Sequence, residues 1–460
     1  MTDRLVPTWW HDDHPDDAGI LHAIAPADPR IARLAGGLRG LGVERGDAVA
    51  WRLPNGPEVV LLFWACWQLG AVAVPIHHRA TGTEAEAMLR ALPVRLVVEA
   101  DRVAALVDGG PELSGSPAAP RDLALVLHTS GSSGTPKAVL HTQAALAHKA
   151  RSMAGVHGLT ADDVVLMPAP LGHISGILNG VTLPAASGMR PVLMDRWDPD
   201  RALALIESER VSFMVGPPTF FHGLADAAGF DPARVGSLRL VSAGGAGVTE
   251  DVCRHIATTF GATVKRTYGS TEAPTVATTR HGDDRAREWT TDGRAAPGAG
   301  LRTAVGGELE VRGPELFVGY ADPERTAEAV TSDGWFRTGD LATIDDGWLR
   351  ITGRAKDVII RGGENISPGE VEAHLVAHAA VADAVVVGRP DERLGETVCA
   401  YVTLVPSSSF DLEACRAWFA ERGVTRFKTP EAVVVLDELP VLGSGKADRA
   451  GLARRAAQEP

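Results

Sequence analysis

Short apolar runs alternate with helical patterns along most of the chain. Ala48–Leu53 and Val72–Pro75 have the composition of buried strands, and Glu58–Leu69 between them has the length and apolar content of a helix. Glu84–Ala91 is then typical of a helix and Val94–Glu99 of an extended segment. Because parallel strands need long crossover connections, this βαβ rhythm predicts mostly parallel sheets with helices on their faces.

The pattern changes towards the C-terminus. Between Gly307 and Ile351 it turns purely β, and after Arg354 helices and strands alternate again. We therefore predict an α/β protein with two domains. A large domain at residues 1–355 contains mostly parallel sheets flanked by helices, together with a β-rich subdomain. Residues 356–460 form a small α+β domain, which is an ordinary size for such a unit.

Size, charge and cysteine usage narrow the class of protein. A chain of 460 residues is too long for one compact core, and 45% hydrophobic with 22% charged residues is an ordinary globular composition. The formal net charge of −13, with no Lys/Arg run, argues against a nucleic-acid partner. The four cysteines form no CxxC pair, so they indicate neither a zinc site nor a disulfide framework. They suit a reducing compartment.

One apolar stretch, Val59–Ile76, reaches the length of a membrane-spanning helix. Gly70 divides it into a helical part and a β-rich part that ends at Pro75, so we predict a helix followed by a buried strand rather than a membrane span. The acidic segment Met1–Asp17 lacks the basic flank and apolar core of a signal peptide. We therefore expect a cytoplasmic protein.

A loop rich in hydroxyls and glycines follows the predicted strand Leu123–Leu127. It contains Thr129, Ser130, Gly131, Ser132, Ser133, Gly134, Thr135 and Lys137. Glycine lets backbone amides approach an anion, hydroxyls donate further hydrogen bonds, and lysine supplies a positive charge. The spacing differs from that of a Walker loop. Taken alone such a cluster also occurs in surface loops, but its chemistry is that of a phosphate-binding site.

This loop resembles the phosphate-binding signature of the adenylate-forming superfamily, which comprises acyl-CoA synthetases, adenylation domains and luciferases. It departs from the family pattern at Ala138, where relatives usually have glycine, and we expect alanine to fit if this residue has helical dihedral angles. Further motifs follow in the family's order: Pro170-Leu171-Gly172-His173, Tyr268-Gly269-Ser270-Thr271-Glu272, Thr338-Gly339-Asp340, Gly353-Arg354-Ala355-Lys356-Asp357, Gly362-Gly363-Glu364-Asn365-Ile366-Ser367-Pro368 and Gly443-Ser444-Gly445-Lys446. The likeness to fatty-acid and aryl-acid CoA ligases is the strongest.

The resemblance implies an active site that condenses a carboxylic acid with ATP. The residues from Thr129 to Lys137 would hold the β- and γ-phosphates, Thr271 would contact the α-phosphate and Glu272 would ligate Mg²⁺, which prefers oxygen ligands. The adenine and ribose would be bound by Gly244, Gly245, Ala246, Tyr268, Gly269, Asp340 and Arg354. Within that set, Tyr268 can stack on adenine and Asp340 can accept hydrogen bonds from the ribose.

The resemblance also assigns roles in the C-terminal part. Lys446 would reach the site and bridge the acid carboxylate and the α-phosphate, and Lys356 would be the hinge of a mobile C-terminal lid. Movement at such a hinge would let one site perform two half-reactions. In the second half-reaction Gly362 and Gly363 would line the passage for the pantetheine arm of CoA. His173 would lie beside the carboxylate as a gate.

The acyl pocket implied by the resemblance carries no charge besides Glu272. Its residues are His173, Thr219, Phe220, Ala243, Gly269 and Ala273. An ammonium group or a second carboxylate would be left unpaired there, which argues against amino acids and dicarboxylates. An apolar aliphatic or aromatic monocarboxylic acid is therefore the expected substrate.

Three functions remain open at this point. The first is an AMP-forming acyl-CoA synthetase that uses ATP, Mg²⁺ and CoA. The second is a stand-alone adenylation enzyme that loads the phosphopantetheine of a separate carrier protein. The third is a non-catalytic adenylate-binding protein, and the presence of Lys446, Glu272 and Asp340 argues against it. Nothing in the sequence indicates the oligomeric state or the length of the acid.

Overall fold

The structure is a computed structural model that describes residues 21–129, 136–244, 248–280, 282–441 and 447–458. The chain divides into two compact units. The first comprises the described residues up to Leu301 together with Val311–Phe336, and the second comprises Arg302–Glu310 and the residues from Arg337 onwards. Lys356, the predicted hinge, lies inside the second unit, and its role stays a prediction.

The elements follow the alternation that the sequence predicts. The helices are α1 (Pro29–Gly40), α2 (Pro57–Leu69), α3 (Gly82–Arg90), α4 (Ala100–Gly109), α5 (Gln143–His157), α6 (Ile174–Ile177), α7 (Leu183–Ser187), α8 (Pro199–Glu209), α9 (Pro218–Ala225), α10 (Glu250–Phe260), α11 (Arg285–Thr290), α12 (Pro323–Ala329), α13 (Pro368–Val376), α14 (Leu412–Glu421) and α15 (Arg449–Ala456). None of the helices in the described ranges combines the length and the apolarity that a bilayer span requires.

The strands are β1 (Ala48–Trp51), β2 (Val72–Pro75), β3 (Val94–Val98), β4 (Leu123–Thr129), β5 (Lys137–Thr142), β6 (Val164–Met167), β7 (Arg190–Leu193), β8 (Phe213–Gly216), β9 (Leu240–Gly244), β10 (Thr263–Tyr268), β11 (Ala277–Thr278), β12 (Arg294–Ala295), β13 (Gly300–Thr303), β14 (Glu308–Arg312), β15 (Gly319–Tyr320), β16 (Phe336–Asp345), β17 (Trp348–Arg354), β18 (Ile359–Arg361), β19 (Glu364–Ile366), β20 (Val381–Asp391), β21 (Gly395–Leu404) and β22 (Ala432–Val435).

The first unit contains a six-stranded sheet in the order β15-β5-β4-β2-β1-β3. β1, β2, β3 and β4 form its parallel part, whereas β5 returns antiparallel to β4 and β15 pairs antiparallel with β5. α2 covers one face through Phe63, Trp64 and Trp67, all of which are buried. Gly70 ends α2 in the left-handed conformation, with φ of 73°, and the chain enters β2 directly. The predicted helix-then-strand interpretation of Val59–Ile76 is therefore confirmed.

A second parallel array in the same unit has the order β10-β9-β8-β6-β7. α8, α9 and α10 pack against it around a core that includes Phe221, Val241 and Ile256. The short strands β11 and β12 continue from β10 in antiparallel register. In such arrays ligands bind at the carboxyl ends of the parallel strands, so this edge locates the candidate site.

The second unit is built from antiparallel hairpins and short helices. β16 and β17 form one hairpin, and β20 and β21 form a longer one that β22 extends in parallel. α13 and α14 pack on this sheet through Val371, Leu375 and Phe419, which join Val386 and Ala400 in one buried cluster. This agrees with the predicted α+β character of the C-terminal part.

One prediction about local structure is wrong. The stretch Gly307–Ile351 is not purely β, because α12 lies within it at Pro323–Ala329. Asp322 caps this helix by accepting from the amides of Glu324 and Arg325, and proline occupies the first turn, where its missing N–H is no loss. The helix is too short for its periodicity to be seen against the flanking strands.

Candidate active site

The segments expected to bind the acid and the nucleotide follow neighbouring parallel strands. Pro168–His173 comes after β6, Pro217–Phe221 after β8, Gly244 closes β9 and the Tyr268–Glu272 motif begins at the end of β10. Because these strands are adjacent and parallel, their carboxyl ends share one edge of the sheet. Motif residues that are distant in sequence are thus brought to the same edge of the first unit.

A single asparagine fixes the segment that leads to His173. The Asn55 side chain follows β1 and donates to the carbonyls of Ala169 (2.9 Å) and Met194 (2.7 Å), and its oxygen accepts from the amide of Leu171 (2.8 Å). The His77 ring, which follows β2, lies 5.5 Å from the His173 ring. The carboxyl edges of both parallel arrays therefore meet at the His173 segment.

The histidines beside this segment favour their neutral form. Burial lowers the pKa of His77, and its neighbours His78 and Arg79 lower it further. His77 and His78 stack with ring centroids 4.9 Å apart. At neutral pH the rings of His77 and His78 therefore add little positive charge of their own. Sequence reasoning identified His173 but missed Asn55 and His77.

The other predicted pocket residues lie on the same edge. Phe220 stacks on Trp197 with ring centroids 4.4 Å apart, and it lies so close to Gly216 that a β-carbon there would be 2.5 Å from the Phe220 ring. Gly216 pairs in register with Ala243, which is buried, and Ala273 is also buried. Thr219 lies one residue before Phe220 on α9. Small residues and stacked aromatic rings thus shape this part of the site.

The Tyr268–Thr275 turn is tight and internally bonded. The Ser270 amide donates to the Ala273 carbonyl (2.9 Å), and the Ala273 amide donates to the Ser270 hydroxyl (3.1 Å). A β-carbon on Gly269 would lie 2.2 Å from the Thr275 nitrogen, so only glycine fits there. Thr275 itself has a φ of 44°, which is uncommon for a β-branched residue.

Two buried charged side chains lie behind this turn. Lys149 donates from Nζ to the Thr275 carbonyl at 2.5 Å and is 1% exposed. Burial lowers the pKa of Lys149 to about 8, and the nearby Glu315 carboxylate opposes that shift. Burial raises the pKa of Glu315 above its usual range. Lys149 therefore holds the strained residue that closes the turn, a role that sequence reasoning missed.

Thr271 and Glu272 are held from the adjacent strands β5 and β15. His141 Nε2 lies 2.8 Å from the Thr271 carbonyl, and because a carbonyl only accepts, this nitrogen carries the proton. Burial lowers the pKa of His141 to about 4, which keeps the ring neutral at pH 7. The Phe317 amide donates to the Glu272 carbonyl (2.8 Å), and the Tyr320 hydroxyl donates to Glu272 Oε1 (2.8 Å).

The predicted phosphate loop lies between β4 and β5 in the sequence. Thr129, the last residue of β4, pairs with Lys137, the first residue of β5. Lys137 Nζ lies 5.1 Å from the centre of the Tyr320 ring. Ala138 is part of β5 rather than helical, and a strand accepts alanine without difficulty. Ser130–Thr135 of the predicted loop lie outside the described residues.

The predicted adenine site is described only in part. Gly244 approaches Thr267 so closely that a β-carbon would be 2.5 Å from its hydroxyl oxygen. Tyr268 ends β10 one residue before Gly269. Gly245 and Ala246 lie outside the described residues, and so does Lys446.

The two predicted ribose ligands are brought together in the second unit. Asp340 and Arg354 pair in the β16–β17 register, with 3.0 Å between Arg354 Nε and Asp340 Oδ1. The Asp340 side chain is 9% exposed and that of Arg354 is 53% exposed. The Asp340 amide also donates to the Thr338 hydroxyl at 3.1 Å. The carboxylate is therefore fixed in place by its own strand pair.

Lys356 and the double glycine lie further along the same unit. Lys356 is exposed in a short 3₁₀ turn, Ala355–Asp357. Gly362 and Gly363 have φ of 59° and 90°, and they join β18 to β19 in a two-residue hairpin. The turn itself favours glycine at both positions because both have positive φ. That these glycines line a passage for CoA remains a prediction.

The Glu272 carboxylate is suited to Mg²⁺. Among the described residues no cluster of three or more His, Cys, Asp or Glu side chains forms a metal cage. Glu272 is a hard oxygen ligand, and the Tyr320 hydroxyl uses only one of its two oxygens. Mg²⁺ is often bound by one or two carboxylates, with water and substrate phosphates as the other ligands. The residues present therefore fit a magnesium ion that arrives with ATP.

Known protein families match this chain over most of its length. Residues 25–321 match the AMP-binding enzyme family and residues 370–446 match the AMP-binding enzyme C-terminal domain. The medium-chain fatty-acid–CoA ligase of Escherichia coli (strain K12) is 35% identical over 94% of this chain and 86% of its own length. A feruloyl-CoA synthase of an Amycolatopsis species is 36% identical over 95% of this chain and 94% of its own length. The crystal structure of ATP-bound MatB from Rhodopseudomonas palustris superposes with a TM-score of 0.85 at 26% identity, covering 93% of this chain and 92% of that one.

Proposed function

This chain belongs to the family of AMP-binding enzymes, and from that premise we propose which of its residues perform the reaction and which acids it accepts. As an AMP-forming acid–thiol ligase it activates a carboxylic acid with ATP and transfers the acyl group to CoA. We propose an apolar aliphatic or aromatic monocarboxylic acid as its substrate. The observation that carries this choice is that the segments 168–173, 217–221, 243–245 and 269–274 contain no Asp, Glu, Lys or Arg apart from Glu272.

In the first half-reaction a carboxylate oxygen attacks the α-phosphorus of ATP. The new oxygen–phosphorus bond forms as the bond to the β-phosphate breaks, and pyrophosphate leaves with the electron pair. Two anions must meet in this step, so stabilising the developing negative charge is the largest requirement. We propose that Thr129, Lys137 and the hydroxyl side chains between them in the sequence bind the leaving pyrophosphate. Thr271 would contact the α-phosphate.

Magnesium would be held by Glu272 and by the phosphates. When bound, it supplies Lewis-acid stabilisation of phosphoryl oxygens. The contacts to Thr271 and Glu272 support this assignment, because His141 and Phe317 hold the two backbone carbonyls and the Tyr320 hydroxyl orients the carboxylate before the nucleotide arrives. A preorganised ligand needs little rearrangement at the moment of reaction.

We propose that Lys446 neutralises the acid carboxylate and the α-phosphate as they approach each other, and that Asp340 and Arg354 bind the ribose. In the second half-reaction the CoA thiol attacks the acyl carbon, the thioester bond forms and AMP leaves with the bonding electrons. We assign the passage for the pantetheine arm to Gly362 and Gly363, and the hinge between the two half-reactions to Lys356.

Pyrophosphate release across a panel of acids tests the substrate class. Octanoate, phenylacetate and a cinnamate should give release well above background, whereas malonate and alanine should give none. Each acid is assayed with and without CoA, and the thioester is measured by mass spectrometry. Turnover of malonate or alanine above that of the apolar acids would contradict the uncharged pocket. An acyl-adenylate that forms but is not discharged by CoA would favour a carrier protein as the acceptor.

A further inference from the structure

Tyr320 joins the two halves of the candidate phosphate site, and it lies outside the sequence motifs described above. Its hydroxyl lies 2.8 Å from Glu272 Oε1 and its ring centre lies 5.1 Å from Lys137 Nζ. The residue is 5% exposed, and its ring packs edge-on against Phe317 at 5.0 Å. One side chain thus contacts both the proposed metal ligand and the lysine that ends the phosphate loop.

We propose that Tyr320 is the positioning residue of the magnesium–ATP site: its hydroxyl orients the Glu272 carboxylate and its ring holds Lys137. The inference rests on the proposed function, because it concerns where Mg²⁺ and the phosphates bind. Tyr320 would act indirectly, through the Glu272 and Lys137 side chains that it contacts.

The chemistry of a phenol suits this role. A phenol is protonated at neutral pH, so the Tyr320 hydroxyl donates to Glu272 Oε1. A neutral donor restricts the rotation of the carboxylate without cancelling its charge, and it leaves Oε2 free of this contact. A lysine or arginine at this position would instead pair with Glu272 and weaken its attraction for a cation.

The ring has a separate role towards Lys137. An ammonium group within about 6 Å of an aromatic centre is attracted to the face of the ring, most strongly where water is excluded. Tyr320 therefore restrains Lys137 without neutralising it, so the positive charge remains available to the phosphates. The hydroxyl and the ring make different contacts, so they can be removed one at a time.

The backbone holds Tyr320 independently of its side chain. Gly319 and Tyr320 pair antiparallel with Leu140 and Val139 of β5, and the Tyr320 amide donates to the Thr326 hydroxyl at 2.9 Å. Glu272 is likewise fixed through its own carbonyl by the Phe317 amide. Removal of the hydroxyl should therefore leave the fold intact and change only the orientation of the carboxylate.

The test compares Tyr320→Phe, which removes only the hydroxyl, with Tyr320→Leu, which also removes the ring. Tyr401→Phe is the matched control, because Tyr401 is also buried (0% exposed, against 5% for Tyr320) and is not among the residues assigned to the site. ATP binding to each protein is measured by titration calorimetry with Mg²⁺ and with EDTA. Thermal unfolding of every variant checks that it is folded.

Tyr320→Phe should bind ATP in EDTA as the wild type does, while the gain in affinity on adding Mg²⁺ falls about tenfold, the usual effect of losing a hydrogen bond to a charged group. Tyr320→Leu should also weaken binding in EDTA, because Lys137 loses its support. Tyr401→Phe should leave both affinities unchanged. An unchanged Mg²⁺ dependence in Tyr320→Phe, or an equal loss with and without Mg²⁺, would overturn the inference.

The same experiment separates this inference from the proposed function. If the wild type shows no Mg²⁺-dependent ATP binding, the proposed function fails and the role of Tyr320 falls with it. If the wild type shows that dependence and Tyr320→Phe keeps it in full, only the role of Tyr320 is wrong.

Discussion

Gly269 is the position where a single carbon atom should disable the site without unfolding the protein. In Gly269→Ala the new β-carbon would lie 2.2 Å from the Thr275 nitrogen, 2.8 Å from the Thr275 α-carbon and 2.9 Å from the Ala273 carbonyl oxygen. All three are backbone atoms, so no flexible side chain can move aside. Thr275 is also restrained by Lys149 through its carbonyl. The turn itself must therefore move.

The size of the effect follows from these distances. Ordinary van der Waals contact begins near 3.4 Å, so the turn must open by about 1 Å to accept the substitution. Tyr268 and Glu272 belong to the same turn and would be displaced with it. Because a misplacement of about 1 Å can reduce catalysis about 100-fold, the loss of transition-state stabilisation is about 2.7 kcal/mol. Overpacking should lower the free energy of unfolding by about 1–3 kcal/mol.

The assay is acid-dependent ATP–pyrophosphate exchange, together with urea unfolding of the same preparation. Gly155→Ala is the matched control, because Gly155 lies in the helix α5 and a β-carbon there meets no atom within 4 Å. That variant should keep full activity and gain up to about 1 kcal/mol of stability from the better helix propensity of alanine.

Two results would refute the reasoning about Gly269. If Gly269→Ala kept activity within about threefold of the wild type, a distance of 2.2 Å would not constrain the turn as argued. If activity fell only in proportion to the unfolded fraction measured in urea, the loss would reflect stability rather than the geometry of the site.

Three further predictions concern the nucleotide and the pH. Lys446→Ala should abolish pyrophosphate exchange while thioester formation from supplied acyl-adenylate continues, and an equal loss of both would contradict its assigned role. Asp340→Asn should raise the KM for ATP about tenfold, because an amide offers one acceptor oxygen where the carboxylate offers two. Burial lowers the pKa of His141 to about 4 and of His157 to about 3, below the unfolded value near 6.5. Each histidine should therefore contribute stability above pH 6.5 that is lost as the pH falls, about 2 kcal/mol at pH 5. The free energy of unfolding in urea is measured at pH 7 and pH 5, and equal values would contradict this.

Much of the candidate site could be proposed from the sequence because its residues fall in short contiguous motifs. The strand, glycine and hydroxyl pattern before Lys137 has a chemical meaning that needs no tertiary structure. Asp340 and Arg354 were both expected to reach the ribose, and the β16–β17 register brings them within 3.0 Å. Strands such as β1 and β2 were predictable because short apolar runs bounded by turn residues are typical of buried strands.

The residues that were missed act across long sequence separations. His141 contacts Thr271 from 130 residues away, and Tyr320, which β15 places beside β5, contacts Glu272 from 48 residues away. β15 has two residues, which is too short to show an alternating pattern. Asn55 follows β1 as an ordinary turn residue would, and its three contacts to the His173 segment exist only in the folded chain.

The helix α12 was missed for a different reason, since its signals were present. Asp322 followed by Pro323 is a common start for a helix, and the alternating residues on either side outweighed it. Short helices inserted between strands are judged better from their caps than from their periodicity.

The central claim is that the loop from Thr129 to Lys137 binds the triphosphate of ATP while Glu272 binds its magnesium ion. A crystal structure of the protein with Mg²⁺ and a non-hydrolysable ATP analogue tests it most directly. The account predicts β- and γ-phosphates within hydrogen-bonding distance of this loop, and a metal ion that shares ligands between Glu272 and the phosphates. A triphosphate bound elsewhere, or a metal ion with no contact to Glu272, would contradict it.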